Sequence, residues 1–295
     1  MRERRFFLGA SPLGKRWEKE RSMFDKECWW ITGASSGIGE GLARALAARG
    51  AKLILSGRNV AALEAVARDC ADAFPLPFEA TDFDLIPGIV ERAWSWKGRI
   101  DGLVNNAGIS QRSLAIETAF AVYQKMIAVD LLAPIALTQA LLPKMVQAGG
   151  GRIVAISSVA GIVGAPLRSA YSAAKHGLIG YHDSVRAENE HLGIQVHVVA
   201  PGSVRTGVSK NALTADGSKR GVSDAVIDNG MLPSESAQAI LAAIEAGKRE
   251  LVLATGMEHE IAVLRRQDPE ALFDRMSAIV RAGYAQQMAT DSGKG

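Results

Sequence analysis

The stretch TGASSGIG, residues 32–39, decides the fold of this chain. It follows a short apolar run, residues 27–32, with the pattern of a buried strand, and it opens a helical pattern at 37–49. Glycines at such a turn let the backbone approach a pyrophosphate, which the helix N-terminus attracts. The spacing is GxxxGxG rather than GxGxxG, and a glycine-rich turn alone is weak evidence. Its place at the first strand–helix junction favours a phosphate-binding loop formed by Gly33, Ser35, Ser36, Gly37, Ile38 and Gly39.

Beyond this turn, apolar runs of strand length alternate with helical patterns. Strands are predicted at 51–56, 74–78, 100–105, 152–157, 194–200 and 251–254, and helices at 37–49, 57–71, 84–96, 118–146, 169–191 and 233–246. Pro134 predicts a bend in the longest helix. Alternating strands and helices favour parallel pairing, and no linker divides the chain. The sequence therefore predicts an α/β fold, a Rossmann-type doubly wound parallel sheet, in a single domain.

The predicted domain spans residues 27–256, between an N-terminal extension (1–26) and a helical C-terminal extension with a tail (257–295). The N-terminal segment has mixed charge and several helix breakers, which favours a poorly ordered extension. Two alternatives stay open for it. Its arginines suggest an organelle transit peptide, which the acidic residues among them weaken, and Met23 is a candidate for the true start.

Composition narrows the class of protein. With 48% hydrophobic and 22% charged residues, the chain resembles an ordinary soluble globular protein, and it has no uninterrupted apolar run of membrane-spanning length. The net charge of +3 originates in residues 1–26, because the rest holds 26 basic and 27 acidic residues; we expect no nucleic-acid partner. Cys28 and Cys70 form no CxxC pair and suit a reducing, cytoplasmic setting. The five histidines lack zinc-like spacing, so we expect no metal.

The end of the second predicted strand, Leu55-Ser56-Gly57-Arg58, bears on cofactor choice. NAD-binding proteins of this fold usually place a carboxylate there to bind the ribose 2′-hydroxyl. No carboxylate occupies the strand end here, and Arg58 is able to pair with a 2′-phosphate. The alternative is a solvated arginine at the start of a helix. We therefore expect NADP(H) in preference to NAD(H).

Tyr171 and Lys175 lie four residues apart on the helix predicted at 169–191, so they share one face. A free phenol has a pKa of about 10, too high for a base at neutral pH, but a nearby ammonium stabilises the phenolate. Such a pair is suited to exchange a proton with a carbonyl or alcohol oxygen. YxxxK is common by chance on amphipathic helices. Ser157-Ser158, at the end of a neighbouring strand, strengthens the interpretation, because active sites collect at that edge.

These motifs together resemble the short-chain dehydrogenase/reductase family over residues 27 to about 255. The stretches that carry the resemblance are TGASSGIG (32–39), NNAG (105–108), ISS (156–158), YSAAK (171–175) and PG (201–202). Residues 137–143 and 211–218 further resemble the dehydrogenase/reductase member-7 branch. Some members of that branch carry an N-terminal membrane anchor, and none is expected here.

The resemblance implies a role for each matching residue. Ser158 would orient the substrate carbonyl, Tyr171 would be the acid/base, and Lys175 would also bond the nicotinamide ribose. Asn105 would line the adenosine side of the cofactor and steady the sheet. The remaining cofactor contacts would come from Ala107, Gly108, Pro201, Gly202 and Thr206. The family also implies a small-molecule carbonyl or alcohol substrate and a homodimer or homotetramer paired through the two long helices.

One position departs from the family pattern. The family's fourth catalytic residue, an Asn that helps to hold a proton-relay water, aligns with Asp130. An Asp loses the amide donor, and its charge would raise the pKa of Lys175. The relay either persists or is slowed, and this departure leaves a second hypothesis open: a catalytically weak NADP(H)-binding regulator on the same fold. Residues 208–231, long and glycine-containing, are interpreted either as a mobile substrate lid or as an ordinary surface loop.

Overall fold

The computed structural model describes residues 22–284 and contains a seven-stranded parallel sheet in the order β3-β2-β1-β4-β5-β6-β7. The strands are β1 (Cys28–Thr32), β2 (Lys52–Ser56), β3 (Ala73–Pro75), β4 (Gly102–Asn105), β5 (Gly151–Ile156), β6 (Ile194–Pro201) and β7 (Glu250–Leu253). The order reverses between β1 and β4, because the chain first builds outward to β3 and then returns to the other side of β1. Ligands of doubly wound sheets bind at the carboxyl ends of the strands beside this switch point.

Helices cover both faces of the sheet, as predicted for a doubly wound fold. They are α1 (Gly37–Ala47), α2 (Val60–Arg68), α3 (Ile86–Lys97), α4 (Phe120–Ile127), α5 (Ala133–Gln147), α6 (Ser169–Asn189), α7 (Ala225–Asp228), α8 (Pro233–Glu245), α9 (Gly256–Gln267) and α10 (Pro269–Arg281). Trp29 and Trp30 are both fully buried, Trp29 in the core beneath α1 and α8 and Trp30 in the core beneath α3 and α5. Consecutive strand residues face opposite sides, so a sheet covered on both sides buries an unbroken apolar run.

The helix predicted at 57–71 is shorter than expected, Val60–Arg68, and two other predicted elements differ from the structure in form. The strand expected at 74–78 ends at Pro75, although Leu76 and Phe78 still donate their backbone N–H groups to the carbonyl oxygens of Leu55 (2.8 Å) and Gly57 (3.3 Å). The two prolines are tolerated because β3 is an edge strand, where every second N–H faces away from the neighbouring strand. The helix expected at 118–146 consists of α4 and α5 joined by a π-helical turn, Ala128–Leu132. Pro134 cannot donate an amide proton to the carbonyl of Asp130, four residues earlier, so the ordinary helical ladder is interrupted there. π-turns within helices often mark functional positions, and this one carries Asp130.

The ends of the domain are only partly described. The extension expected at 1–26 lies outside the described residues up to residue 21, and the tail lies outside them from residue 285. Phe24 is fully buried, with its ring centroid 5.5 Å from that of Trp29, so the packed core begins before β1. At the other end, the segment expected to be a helical extension forms α9 and α10, which pack against each other.

Within the part of the chain that the structure describes, one helical stretch, residues 120–147, is long and apolar enough by composition to cross a membrane. Lys125, Asp130 and Lys144 interrupt its apolar sequence. Asp130 is fully buried, α4 packs against α6, and α5 packs against α3. The stretch therefore packs through one face against the other helices of this α/β domain.

Candidate active site

The turn after β1 has the geometry of a phosphate cradle. Gly33 has a φ of +65°, a conformation that side chains disfavour. A Cβ atom on Gly39, in the first turn of α1, would lie 2.3 Å from the carbonyl oxygen of Gly33 and 2.5 Å from Nδ2 of Asn106. No larger residue fits there without moving the backbone. The two glycines thus allow α1 to begin directly against the turn, which leaves its N-terminus exposed to an anion.

Two side chains hold this turn to β4. The Thr32 hydroxyl accepts the backbone N–H groups of Asn106 (3.0 Å) and Ala107 (3.1 Å). The Asn106 side-chain amide donates to the carbonyl oxygens of Thr32 (2.9 Å) and Gly33 (3.2 Å). The NNAG motif contains Asn106, but sequence reasoning gave roles only to its other three residues, Asn105, Ala107 and Gly108. A polar residue directly after a strand end, opposite a glycine turn, was the available signal.

The remaining predicted loop residues surround the start of α1. Ser36 occupies the N-cap position in extended conformation, and its side chain makes no capping bond. Ser35 lies beside Gly57 at the end of β2, and Ile38 packs against the core. A Cβ atom on Gly37 would lie 2.9 Å from the Thr206 methyl carbon, which places Thr206 against the helix N-terminus. The residues present therefore fit a dinucleotide pyrophosphate.

Arg58 follows β2 directly, as predicted. Its side chain is 68% exposed and lies 3.6 Å from a carboxylate oxygen of Glu79. An exposed pair of this kind contributes little to stability. The guanidinium is therefore held loosely at the rim of the cradle, where little opposes its turning toward an anionic group.

Asn105 has a different role from its neighbour Asn106. Its side-chain amide nitrogen donates to Thr138 Oγ1 (2.8 Å) and lies 3.3 Å from His182 Nε2. Since His182 Nδ1 bonds the carbonyl oxygen of Leu178 (2.8 Å), Nε2 is the acceptor. Burial lowers the pKa of His182 to about 4, consistent with a neutral ring. Asn105 thus ties β4 to α5 and α6, and its predicted contact with an adenosine group stays a prediction.

Ser158, Tyr171 and Lys175 lie at the carboxyl edge of the sheet, after β5 and on the first turns of α6. Lys175 Nζ lies 5.7 Å from the centroid of the Tyr171 ring and donates to the carbonyl oxygen of Ile156 (3.1 Å). The Ser158 hydroxyl accepts the N–H of Ala160 (3.1 Å) and has one long contact, 3.4 Å, with the Pro201 carbonyl oxygen. Its proton is thus weakly engaged and available to another acceptor.

Asp130 lies directly behind Lys175. One carboxylate oxygen accepts the backbone N–H of Ile109 (2.9 Å), and the other forms an ion pair with Lys175 Nζ at 3.4 Å but no hydrogen bond. Burial raises the pKa of Asp130, and the Lys175 ammonium opposes that rise. Burial lowers the pKa of Lys175, but Asp130 and Tyr171 outweigh it and raise that pKa overall. Gly108 packs against both groups, because a Cβ there would lie 3.1 Å from Asp130 and 3.3 Å from Lys175.

The far side of the cleft contains the predicted Pro201 and Gly202. Pro201 ends β6, and the Gly202 amide donates to the carbonyl oxygen of Leu253 on β7 (2.9 Å). Glu258 of α9 accepts both the N–H (2.7 Å) and the hydroxyl (2.9 Å) of Ser203. Helix α9 thus fixes the loop that follows β6, a contact that sequence reasoning did not find.

The segment 208–231, the predicted lid, is attached to the loop after β4 by a buried ionic cluster. Asp224 accepts hydrogen bonds from Arg112 (2.8 Å to Nε) and from Arg220, and its backbone N–H donates to Ser209 Oγ (3.1 Å). Burial lowers the pKa of Arg112 to about 10. Burial alone would raise the pKa of Asp224, but the bonded groups outweigh it and lower that pKa. No sequence pattern indicated this cluster, because Arg112 and Asp224 are 112 residues apart.

Among residues 22–284, no group of three or more His, Cys, Asp or Glu side chains is placed to hold a metal ion. Cys28 and Cys70 are buried free thiols.

The reversed strand order and the glycine cradle define a dinucleotide-binding protein of the doubly wound class. Residues 27–217 match the family model described as short chain dehydrogenase. The chain is 38% identical over 276 residues to dehydrogenase/reductase SDR family member 7B of Bos taurus, covering 90% of this chain and 85% of that protein. The chain therefore belongs to the short-chain dehydrogenase/reductase family, in its member-7 branch, and is an oxidoreductase acting on CH–OH donors with a nicotinamide cofactor.

Solved structures agree with the fold. A short chain dehydrogenase of Burkholderia cenocepacia in complex with NADP matches with a TM-score of 0.73 and 27% identity, covering 86% of this chain and 98% of that one. A short-chain dehydrogenase/reductase of Burkholderia phymatum in complex with NAD matches with a TM-score of 0.74 at 20% identity, covering 84% and 95%. The second similarity shows the fold alone.

Proposed function

We propose that this protein interconverts a carbonyl and a secondary alcohol with NADP(H), using Tyr171, Lys175 and Ser158. The observation that carries the proposal is their position at one edge of the sheet, beside the glycine cradle, with Lys175 Nζ 5.7 Å from the Tyr171 ring centroid. Val122, Met126 and Leu213 pack with Tyr171 in one buried apolar cluster, so the surroundings of the phenol are apolar, and we expect a small to medium apolar substrate.

Each of the three groups has a defined task in this mechanism. The Ser158 hydroxyl donates a hydrogen bond to the substrate oxygen and orients it. The Tyr171 phenol gives its proton to that oxygen during reduction and takes one from it during oxidation. Lys175 stabilises the phenolate by its charge and bonds the nicotinamide ribose. A bound nicotinamide supplies or accepts the hydride, and the protein supplies position and electrostatics.

The preference for NADP(H) rests on Arg58, whose exposed guanidinium follows the end of β2, where a 2′-phosphate would be bound. Two further features belong to the proposal. We expect a homodimer or homotetramer paired through the long helices, where Leu132 of the π-turn is 43% exposed and available to a partner. We also expect a cytoplasmic location, because the free thiols of Cys28 and Cys70 suit a reducing compartment.

Steady-state oxidation of NADPH with a panel of aromatic aldehydes, cyclic ketones and aliphatic ketones tests the proposal. We expect turnover by the wild type, and in Tyr171→Phe a loss of at least about 100-fold, since the proton donor is removed while ring packing is kept. NADPH affinity, measured by fluorescence titration, should stay within about threefold.

Two outcomes would contradict this. Equal inertness of both proteins, with NADPH bound by both, would favour the catalytically weak regulator that the buried Asp130–Lys175 pair suggests. Turnover by Tyr171→Phe at the wild-type rate would remove the phenol from the mechanism.

A further inference from the structure

Gln111 is a fully buried polar side chain in the loop after β4, and neither the family motifs nor the proposed mechanism give it a task. Its side-chain carbonyl oxygen accepts the backbone N–H of Ala170 at 2.8 Å. Ala170 precedes Tyr171 in the first turn of α6. Gln111 therefore bonds to the helix that carries the phenol, across 59 residues of sequence.

The first turn of α6 needs a bond of this kind. The first four N–H groups of a helix have no partner within it, and a side chain at the N-cap usually accepts one of them. The N-cap residue of α6 is Arg168, which has no acceptor atom in its side chain and makes no capping bond. Gln111 supplies the missing acceptor from outside the helix.

The hydrogen bonds of the side-chain nitrogen fix the orientation of the Gln111 amide. The nitrogen donates to Ser113 Oγ (3.1 Å), Thr118 Oγ1 (3.1 Å) and the Ser113 carbonyl oxygen (3.3 Å). Because a carbonyl oxygen only accepts, the nitrogen must face Ser113 and the oxygen must face Ala170. The two N–H groups of the amide are thus shared among three acceptors, so the capping oxygen has little freedom to turn away.

The same loop also bonds the predicted lid. Leu213 donates its N–H to the carbonyl oxygen of Ser110 and accepts the N–H of Arg112, both at 2.8 Å. Ser113 donates its N–H to the carbonyl oxygen of Leu167 (3.1 Å), just before α6. Residues 110–113 therefore join the lid segment to the start of α6. Within this loop, the Gln111 side chain makes the bond to the helix, at the N–H of Ala170.

We propose that Gln111 is a positioning residue for Tyr171: it caps the first turn of α6 and fixes the phenol relative to the substrate oxygen. This inference rests on the proposed function, in which Tyr171 is the acid/base. A displacement of about 1 Å in a reacting group costs up to about 100-fold in rate, whereas binding of the cofactor, made mainly by other elements, is unaffected.

Three variants test the proposal, with NADPH and the panel carbonyl that the wild type reduces fastest. Gln111→Met keeps the length of the side chain and removes the acceptor; we expect kcat to fall at least about tenfold, with KM for NADPH and carbonyl within about threefold. Gln111→Glu should recover kcat to within about threefold, because a protonated carboxyl keeps a carbonyl oxygen for Ala170 and an O–H for Ser113. Thr118→Val removes one of the three acceptors for the Gln111 nitrogen. The Ser113 hydroxyl and carbonyl oxygen still hold the amide, so the cap remains and kcat should stay within about threefold of the wild type.

The proposal is overturned if Gln111→Met keeps wild-type kcat, if Gln111→Glu is as slow as Gln111→Met, or if NADPH affinity falls in parallel with kcat. If Gln111→Met is insoluble, Gln111→Asn serves instead, because its shorter side chain cannot reach Ala170. If the wild type reduces no panel carbonyl, the proposed function fails by itself, and amide hydrogen exchange at Ala170 decides the cap: faster exchange in Gln111→Met than in Thr118→Val supports it, and equal exchange refutes it.

Discussion

The glycine cradle and the Lys175–Asp130 pair lie at the same edge of the sheet, but they are built from different kinds of interaction. The cradle depends on backbone geometry: Gly33 and Gly39 touch so closely that one added methyl group has no space. The proton site depends on charge, since two buried ionisable groups 3.4 Å apart set each other's protonation. A change in the cradle should therefore act abruptly through sterics, and a change in the pair should act gradually and with pH.

The largest effect is expected from Gly39→Ala. The new Cβ would lie 2.3 Å from the Gly33 carbonyl oxygen, so either the turn or α1 must move. We expect NADPH affinity to fall at least about 100-fold, equivalent to about 3 kcal/mol, in fluorescence titration. Gly88→Ala is the matched control, because nothing lies within 4 Å of its added Cβ in α3. Wild-type affinity in Gly39→Ala would show that the cradle is not where the cofactor binds.

A smaller effect, limited to one cofactor, is expected at the rim of the cradle. Arg58→Ala should weaken NADPH about tenfold and leave NADH within about twofold, because only NADPH has a 2′-phosphate for the guanidinium. Arg68→Ala, an exposed arginine in the last turn of α2, controls for the loss of surface charge. Equal weakening of both nucleotides would remove the basis for an NADP(H) preference.

The two regions were also unequally predictable from the sequence. The cradle was found from the order of glycines at a strand–helix junction, because local backbone rules decide it. The sequence also predicted that Asp130 lies near Lys175 and that its charge raises the pKa of Lys175, as the structure has them. The bonds of Asn106 to Thr32 and Gly33 were not, because they join side chains to backbone groups far away in sequence.

The same reason explains the other omissions. Gln111 and Ala170 are 59 residues apart, and Arg112 and Asp224 are 112 apart, so no sequence periodicity relates them. The π-turn at Asp130 had a local signal in Pro134, which predicted a bend but not the form of it. Local sequence patterns therefore predict the backbone of each strand, turn and helix. The side-chain contacts between these elements form only in the tertiary fold, so local patterns do not predict them.

The smallest effect, which depends on pH, is expected from Asp130→Asn. In the wild type the Asp130 carboxylate helps to hold the pKa of Lys175 above its ordinary value, against burial, so the ammonium persists to high pH. An amide removes that support and leaves burial, which lowers the pKa of Lys175. The alkaline limb of the pH profile of kcat should therefore move to lower pH. We expect a loss of about fivefold above about pH 9, with rates near neutral pH within about threefold.

The control for this shift is Asp84→Asn, which makes the same charge change at an exposed site before α3. Its profile should overlay that of the wild type. A uniform rate gain in Asp130→Asn at every pH would instead show that the carboxylate slows the proton relay. A loss that is equal at every pH would mean that Asp130 acts by holding Ile109 in place rather than by its charge, and the proton site would then resemble the cradle.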